Sequence, residues 1–271
     1  MTGRLVMSNF LRPLGRTDIK VSALGLGTVK IGRDEGVKYP QKFTIPDDSA
    51  VKNLFSLARE LGINLIDTAP AYGNSEERLG QLLSHRHEWV IVTKTGEEFI
   101  NGESQFDFSP EHTRRSVERS LRRLGTDYLD MVLVHSDGND LAIVKQHGTL
   151  DALGDLKKQG KIRAFGLSGK TVDGGIAALE YSDVAMVTSN LSYDDEQAVI
   201  DYGHQHGKGI LIKKAFASGH ACANDEDAIQ KSLNRILNLD GVSSVIAGTI
   251  NPEHLRDNVT KARQALNCLT D

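Results

Sequence analysis

Cysteine is nearly absent from this 271-residue chain, whose two thiols are Cys222 and Cys268. Two are too few for a disulfide framework and neither has metal-ligand spacing, so both read as reduced, structurally minor thiols. Long apolar runs are missing too. No stretch approaches the about 18 apolar residues that a spanning helix needs, and the start, MTGRLVMSNFLRPLGR, lacks the continuous apolar segment of a secretory signal. Membrane insertion and export are therefore not expected, and the expected location is cytoplasmic. Nor is there an excess of positive charge: 32 Lys and Arg face 36 Asp and Glu, for a net charge of -4. That balance leaves no general footprint for nucleic acid. What is present, 39% hydrophobic and 25% charged residues, is ordinary globular material with enough apolar side chains for a large core.

From residue 21 onward, short β-branched runs alternate with amphipathic stretches. The strand candidates are VSALGLG (21–27), INLIDT (63–68), WVIVTK (89–94), YLDMVLVH (128–135), IRAFGLS (162–168), VAMVTSN (184–190), GILIKK (209–214) and VSSVIAG (242–248). A helical pattern follows each one, and several of these patterns open on Ser, Thr or Asp and close on Gly, as helix ends should. Eight such units, with strands apolar on both faces, predict a parallel closed sheet ringed by helices. At about 250 residues for the repeating part, that is a single-domain α/β (β/α)8 barrel spanning 1–271. LRPLGRTDIKV reads as a short hairpin around Gly15 and Arg16 that caps the barrel bottom, with residues 1–10 as a flexible tail. The competing fold, an open doubly wound sheet, calls for a glycine-rich turn leading straight into a helix. GLGTVKIG has the glycines, but a loop from Lys30 to Asp47 separates it from the first predicted helix.

Active sites of such barrels lie at the C-terminal ends of the strands, so the residues where apolar runs stop are the informative ones. Three successive runs stop on ionisable groups: INLID on Asp67, VIVTK on Lys94 and MVLVH on His135. Tyr72 follows five residues after Asp67. A single charged strand end is as often a solvated loop residue, but three converging on one rim with a phenol suggest a common chemistry. A phenol near its usual pKa of about 10 is a poor acid, and an adjacent ammonium makes donation easier. Lys94 can supply that ammonium, Asp67 can hold it as an ion-pair partner, and His135 can donate a hydrogen bond to a substrate oxygen. The set suits protonation of a carbonyl oxygen while a hydride reaches its carbon, or the reverse, and it requires a hydride-carrying cofactor.

The run LIDTAPAYGNSEERLG, the VIVTK and MVLVH strand ends and the segment VIAGTINPEHLRDNV together resemble the aldo-keto reductases, over nearly the whole chain. The resemblance implies a metal-independent (β/α)8 barrel, monomer or small homo-oligomer, that reduces small-molecule aldehydes or ketones with NADPH or, less often, NADH. Carried over by motif, it places the catalytic tetrad on Asp67, Tyr72, Lys94 and His135, with Tyr72 as general acid. It places Gly27, Thr28, Ser168 and Asn190 near the nicotinamide, and Lys213, Lys214, Phe216, Ser218 and His220 along the loop after the seventh strand. Gly248, Thr249, Asn251, His254, Asp257 and Asn258 fall at the adenosine half, where helix amides near Asn251 suit a phosphate. The chain departs from the pattern at several points. Val29 stands where some members have an aromatic, no Asn follows Ser168, Asn190 stands where Gln is common, and Lys213 and Lys214 occupy the place of a nicotinamide-stacking aromatic. His254 and Gly248 also carry less positive charge than positions facing a 2′-phosphate often do; NADPH is the favoured cofactor, with NADH possible.

Other features read more plainly. The basic run HTRRSVERSLRRLG is a solvated helix face complemented by Glu111 and Glu118. Trp89 packs at the barrel bottom, and His204 and His206 lie on the surface. EFINGESQFDF and the 30–47 loop are the expected pocket walls. The chain ends close after its last helical pattern, and a more open pocket is the corresponding expectation. Two rival readings remain: a Schiff-base aldolase using Lys94, Lys213 or Lys214, and a cofactor-bound redox sensor of slow turnover.

Overall fold

A computed structural model describes residues 10–37, 39, 42–217 and 227–267. Ser218, His220, Cys222, Cys268 and the predicted tail up to residue 9 lie outside the described residues. Twelve strands and ten α-helices are described: β1 (Leu11–Pro13), β2 (Lys20–Ser22), β3 (Leu24–Gly27), α1 (Val29–Gly32), α2 (Asp48–Glu60), β4 (Leu65–Asp67), α3 (Ser75–Leu82), β5 (Val90–Thr95), β6 (Glu97–Ile100), β7 (Glu103–Phe106), α4 (Pro110–Leu124), β8 (Leu129–His135), α5 (Asp140–Gln146), α6 (Thr149–Lys158), β9 (Ile162–Ser168), α7 (Val172–Tyr181), β10 (Val184–Thr188), α8 (Gln197–His206), β11 (Gly209–Lys213), α9 (Ala228–Leu237), β12 (Val242–Ala247) and α10 (Pro252–Ala265). Strands β3, β4, β5, β8, β9, β10, β11 and β12 pair in chain order, all parallel where they join, and close into a barrel. This is the predicted (β/α)8 architecture.

The periodicity works in two layers. Alternate strand residues such as Leu65, Val92, Met131, Leu133, Met186 and Leu211 fill the barrel interior, and the opposite face packs against the apolar stripes of the helices. β1 and β2 form the predicted antiparallel hairpin, which delivers Leu14, Ile19 and Val21 into the interior cluster and closes the barrel bottom. Phe10 does not belong to a tail. It is buried, its carbonyl accepts from Ala23 N, and the Arg263 guanidinium lies over its ring. Asp130, the one acid within an apolar strand run of β8, is met at the barrel bottom by Arg86, Arg163 and the Ile91 amide. That compensation makes its burial tolerable. Trp89 is buried at the start of β5, with its indole N–H on the Ser84 carbonyl.

Three elements differ from the sequence reading. A short helix, α1, begins directly after β3, because Ile31 has an apolar pocket to fill and Gly32 packs against the start of α3. EFINGESQFDF is not a plain loop but the β6–β7 hairpin, turning at Asn101 and Gly102, both at positive φ. Asn-Gly flanked by extended residues is the signature of that turn. α5 is an additional helix ahead of α6. The charges of α4 are complemented by other elements rather than along the helix: Arg119 meets Glu98, Arg123 meets Glu76 and Glu77, and Glu118 meets Lys161.

Candidate active site

The C-terminal rim gathers the four residues singled out from the strand ends. Asp67 ends β4 and is 5% exposed. Lys94, 2% exposed on β5, donates to Asp67 Oδ1 at 2.5 Å and to the Thr68 carbonyl at 2.9 Å. The buried charge is thus paired and hydrogen-bonded, which is what makes the burial of either partner tolerable. The same ammonium lies 4.9 Å from the centre of the Tyr72 ring, and the Tyr72 and His135 rings meet edge to face with centroids 6.1 Å apart.

The turn that presents Tyr72 is held from behind. Gly73 has φ +63, and a Cβ there would fall 2.0 Å from the Gly32 carbonyl oxygen. A Cβ on Gly32 would fall 2.2 Å from the Tyr72 carbonyl oxygen. Two backbones therefore touch where only glycines fit. Arg33 donates to the Ala71 carbonyl, and the Ser75 hydroxyl donates to Thr28 and also bonds Thr68. The start of α3 is fixed by this hydroxyl cluster and not by a cap, since its N-cap residue Asn74 makes no side-chain cap bond.

Electrostatically, burial is the first cause of the shifts at Tyr72 and His135. It pushes the Tyr72 phenol well above its usual 10, with Asp67, Tyr39 and Glu97 adding to the rise and Arg33 opposing it. The phenol eased by Lys94 that the strand ends led us to expect is thus not found in the resting site: the phenol is raised, and the Lys94 donors go to Asp67 and Thr68. Burial also lowers the His135 imidazole below 6.5; Glu97 opposes this, and Lys94 and Lys213 reinforce it.

Two contributors were not picked out in the sequence. Glu97 Oε2 lies 2.6 Å from His135 Nδ1. The acid three residues past Lys94, just ahead of an Asn-Gly turn, was the available signal. Tyr39 reaches the same neighbourhood from the 30–47 loop: burial and Asp67 raise its phenol, and Lys30 lies 4.2 Å from its ring centre. No periodic pattern marked it.

The residues expected around a cofactor are placed as follows. Gly27 ends β3, and the Thr28 hydroxyl donates to the Asp67 carbonyl, so Thr28 ties two strand ends together. The Ser168 hydroxyl accepts from Lys213 Nζ at 3.0 Å, and the same ammonium reaches the Gly169 carbonyl. Lys213 is lowered to about 8, chiefly by burial. Asn190 donates to the Lys214 carbonyl and accepts from Ser192 N, joining the loops after β10 and β11. Lys214 is exposed with φ +56, and Phe216 packs on the outer core. Thr249 accepts from Asn251 N, and the Asn251 side chain takes the amides of Glu253 and His254. Two of the amides expected to face a phosphate are therefore engaged. His254 is exposed, Asp257 is ion-paired with Lys261, and Asn258 is buried with its Oδ1 unpartnered. An orphaned buried acceptor fits a ligand that brings a donor, such as an adenine amino group. Among the described residues no His, Cys, Asp or Glu group is arranged for a metal, and no helix is long and apolar enough to cross a membrane.

A closed parallel barrel with buried ionisable groups gathered on its C-terminal rim is an enzyme architecture. The chain belongs to the Aldo/keto reductase family, whose sequence pattern it matches over residues 23–235. It is 35% identical to the NADH-specific methylglyoxal reductase of Escherichia coli (strain K12) over 91% of both chains. It is 34% identical to the L-galactose dehydrogenase of Arabidopsis thaliana over 77% of this chain and 66% of that protein. A solved structure from Pseudomonas aeruginosa, assigned to the aldo-keto reductases, is 54% identical and covers 97% of this chain and 98% of its own, with TM-score 0.88. The chain is thus an NAD(P)H-dependent oxidoreductase acting on carbonyl or alcohol groups of small molecules.

Proposed function

We propose that this chain, acting as one domain in the cytoplasm, reduces a small aldehyde or ketone with Tyr72 as proton donor. The observation that carries this reading is the paired Lys94–Asp67 under the Tyr72 ring, beside His135. When bound, the nicotinamide supplies the hydride. Tyr72 is protonated throughout the neutral range and hands its proton to the oxygen as negative charge develops there, since an alkoxide is a far stronger base than a phenolate. Lys94 places a fixed positive charge against the phenol, which steadies the phenolate left behind, and Asp67 keeps that ammonium from turning to the substrate oxygen. Ser168, Asn190, Lys213 and Asn258 are proposed cofactor contacts.

The sequence alone favoured NADPH over NADH. The start of α10 argues for a cofactor choice that is not strict: Gly248 and the exposed His254 offer a 2′-phosphate little charge, and Asn251 has taken two helix amides. The Escherichia coli relative carries NADH specificity in its name. The test is a titration of both cofactors followed by a carbonyl panel with Tyr72→Phe alongside the wild type. Dissociation constants for NADH and NADPH within about tenfold of each other are expected. Tyr72→Phe is expected to lose about 10²–10⁴-fold in kcat with cofactor affinity retained. A variant that keeps most of its kcat rules out the tyrosine acid.

A further inference from the structure

The pairing order of the closed barrel sets β11 opposite β5, so the ends of these two strands face each other across the mouth. Leu211 and Val92 fill the barrel interior, and two residues further along each strand Lys213 and Lys94 stand on the same inward face, at the mouth. The same step leads from Leu65 to Asp67 and from Leu133 to His135. The Lys213 side chain is half-buried and reaches past β10 to the end of β9. There its ammonium donates to the Ser168 hydroxyl at 3.0 Å and to the Gly169 carbonyl at 2.5 Å.

The two ammonium groups of the mouth differ in what they meet. Lys94 is paired with the Asp67 carboxylate at 2.5 Å. Lys213 is hydrogen-bonded to neutral oxygens, and no carboxylate of the described residues lies within ion-pair distance of it. The acids behind it are engaged elsewhere. Asp140 of α5 takes the Ser136 and Thr171 hydroxyls with the Lys170 and Thr171 amides, and Glu196, ahead of α8, takes the Thr188 amide. Burial, Lys214 and Lys94 draw the Lys213 proton off, Glu196 and Asp140 hold it on, and the balance falls at about 8. His135 of β8 feels the same charge. At neutral pH the mouth therefore carries an ammonium with no anion against it.

Hydride transfer brings the donor ring within about 3–3.5 Å of the carbonyl carbon. Tyr72, Lys94 and His135 claim the β4, β5 and β8 side of the mouth for the carbonyl, which leaves the side of Ser168 and Lys213 for the ring. A reduced nicotinamide is neutral, and an oxidised one is a cation. Resting on the carbonyl-reductase reading above, we propose that Lys213 is a specificity-determining residue for the redox state of the cofactor, its unpaired ammonium repelling the oxidised ring and admitting the reduced one. Two like charges a few ångströms apart in a partly desolvated mouth weaken binding by about tenfold or more. The oxidised cofactor is then released readily after reduction, and it inhibits the reductase little.

Calorimetric titration of the full chain with NAD⁺ and with NADH tests this without turnover. The reading is the ratio of the two dissociation constants in wild type, Lys213→Met and Lys213→Arg, at about pH 7 and pH 9. At pH 7 the ratio is expected to fall about tenfold in Lys213→Met, through tighter NAD⁺ binding, and to be kept in Lys213→Arg. At pH 9 the wild type loses most of its ammonium and is expected to approach Lys213→Met, while Lys213→Arg holds its ratio. Lys213→Met weakening both forms alike, with the ratio unchanged, makes Lys213 only a staple between β9 and β11 and overturns the proposal. If Lys213→Met does not fold, wild type and Lys213→Arg following the same course from pH 7 to pH 9 overturns it instead. A wild type that binds neither form sinks this inference together with the cofactor reading. A wild type with the expected ratios that reduces no carbonyl sinks the reductase reading alone.

Discussion

A carboxylate as buried as Asp67 costs several kcal/mol unless a cation meets it, and Lys94 does so with two of its three donors committed. Lys94→Met should therefore harm more than catalysis. It leaves Asp67 without its partner, and a loss of about 3–5 kcal/mol in urea unfolding is expected together with the loss of activity. Full stability in that variant would mean that the pair contributes nothing to the fold. The Tyr72 phenol gives a separate prediction from pH. Its folded value is raised, so the protonated form persists past pH 10. Carbonyl reduction uses that form and should stay flat from about pH 7 to beyond pH 10, whereas alcohol oxidation needs the phenolate and should climb over the same range. A reduction rate that falls near neutrality would contradict this. At this scale the sequence was legible where an apolar run ended on an ionisable residue, which marks Asp67, Lys94 and His135. It was silent on Glu97 and Tyr39, because both arrive from connections whose path is set by tertiary contacts. It also misjudged the helix amides at α10, since the Asn251 side chain had a closer claim on them.

The elements around Tyr72 act through contact between backbones. α1 and the β4–α3 turn meet at Gly32 and Gly73, an approach with no room for a methyl group. Gly32→Ala would set a Cβ 2.2 Å from the Tyr72 carbonyl oxygen and 2.5 Å from Ser75 N, and neither atom belongs to a side chain that can swing away. The turn has to move, at a cost of about 1–3 kcal/mol for such overpacking, and Tyr72 moves with it. A displacement near 1 Å at the proton donor is worth roughly 10²-fold in rate. Gly32→Ala is accordingly expected to lose far more kcat than cofactor affinity; an unchanged kcat would show that α1 does not brace the turn. α1 was missed in the sequence because four residues are too short for a helical period to show. The β6–β7 hairpin was missed for another reason: its strands are half-buried at best and charged, so the alternation signal was weak, and only Asn101–Gly102 announced it.

Across the whole molecule, the two ends of the barrel divide the work between stability and chemistry. Continuous apolar strand runs alternating with period-3.6 helix patterns are redundant over eight units, which is why the barrel and the β1–β2 plug could be read from the chain, whereas single side-chain contacts could not. The plug is the clearest test of the division. Leu14, Ile19 and Val21 sit in the same apolar cluster as Leu65, Met131 and Leu211, filling the barrel from below. Leu14 is fully buried, held between the hairpin and the start of β11, where its side chain approaches the Cα of Gly209. Leu14→Ala removes buried methyl groups from a layer that a closed barrel cannot easily collapse upon, so about 2–5 kcal/mol should be lost in urea unfolding. Asp67, Lys94 and His135 stand at the opposite ends of their strands, with Tyr72 in the turn after β4. Below the unfolding transition, kcat and cofactor affinity of Leu14→Ala should therefore stay within about twofold of wild type, since distant sites couple weakly. A large drop in kcat from this substitution, without partial unfolding, would show that the barrel transmits strain along its strands and that the two ends are not independent.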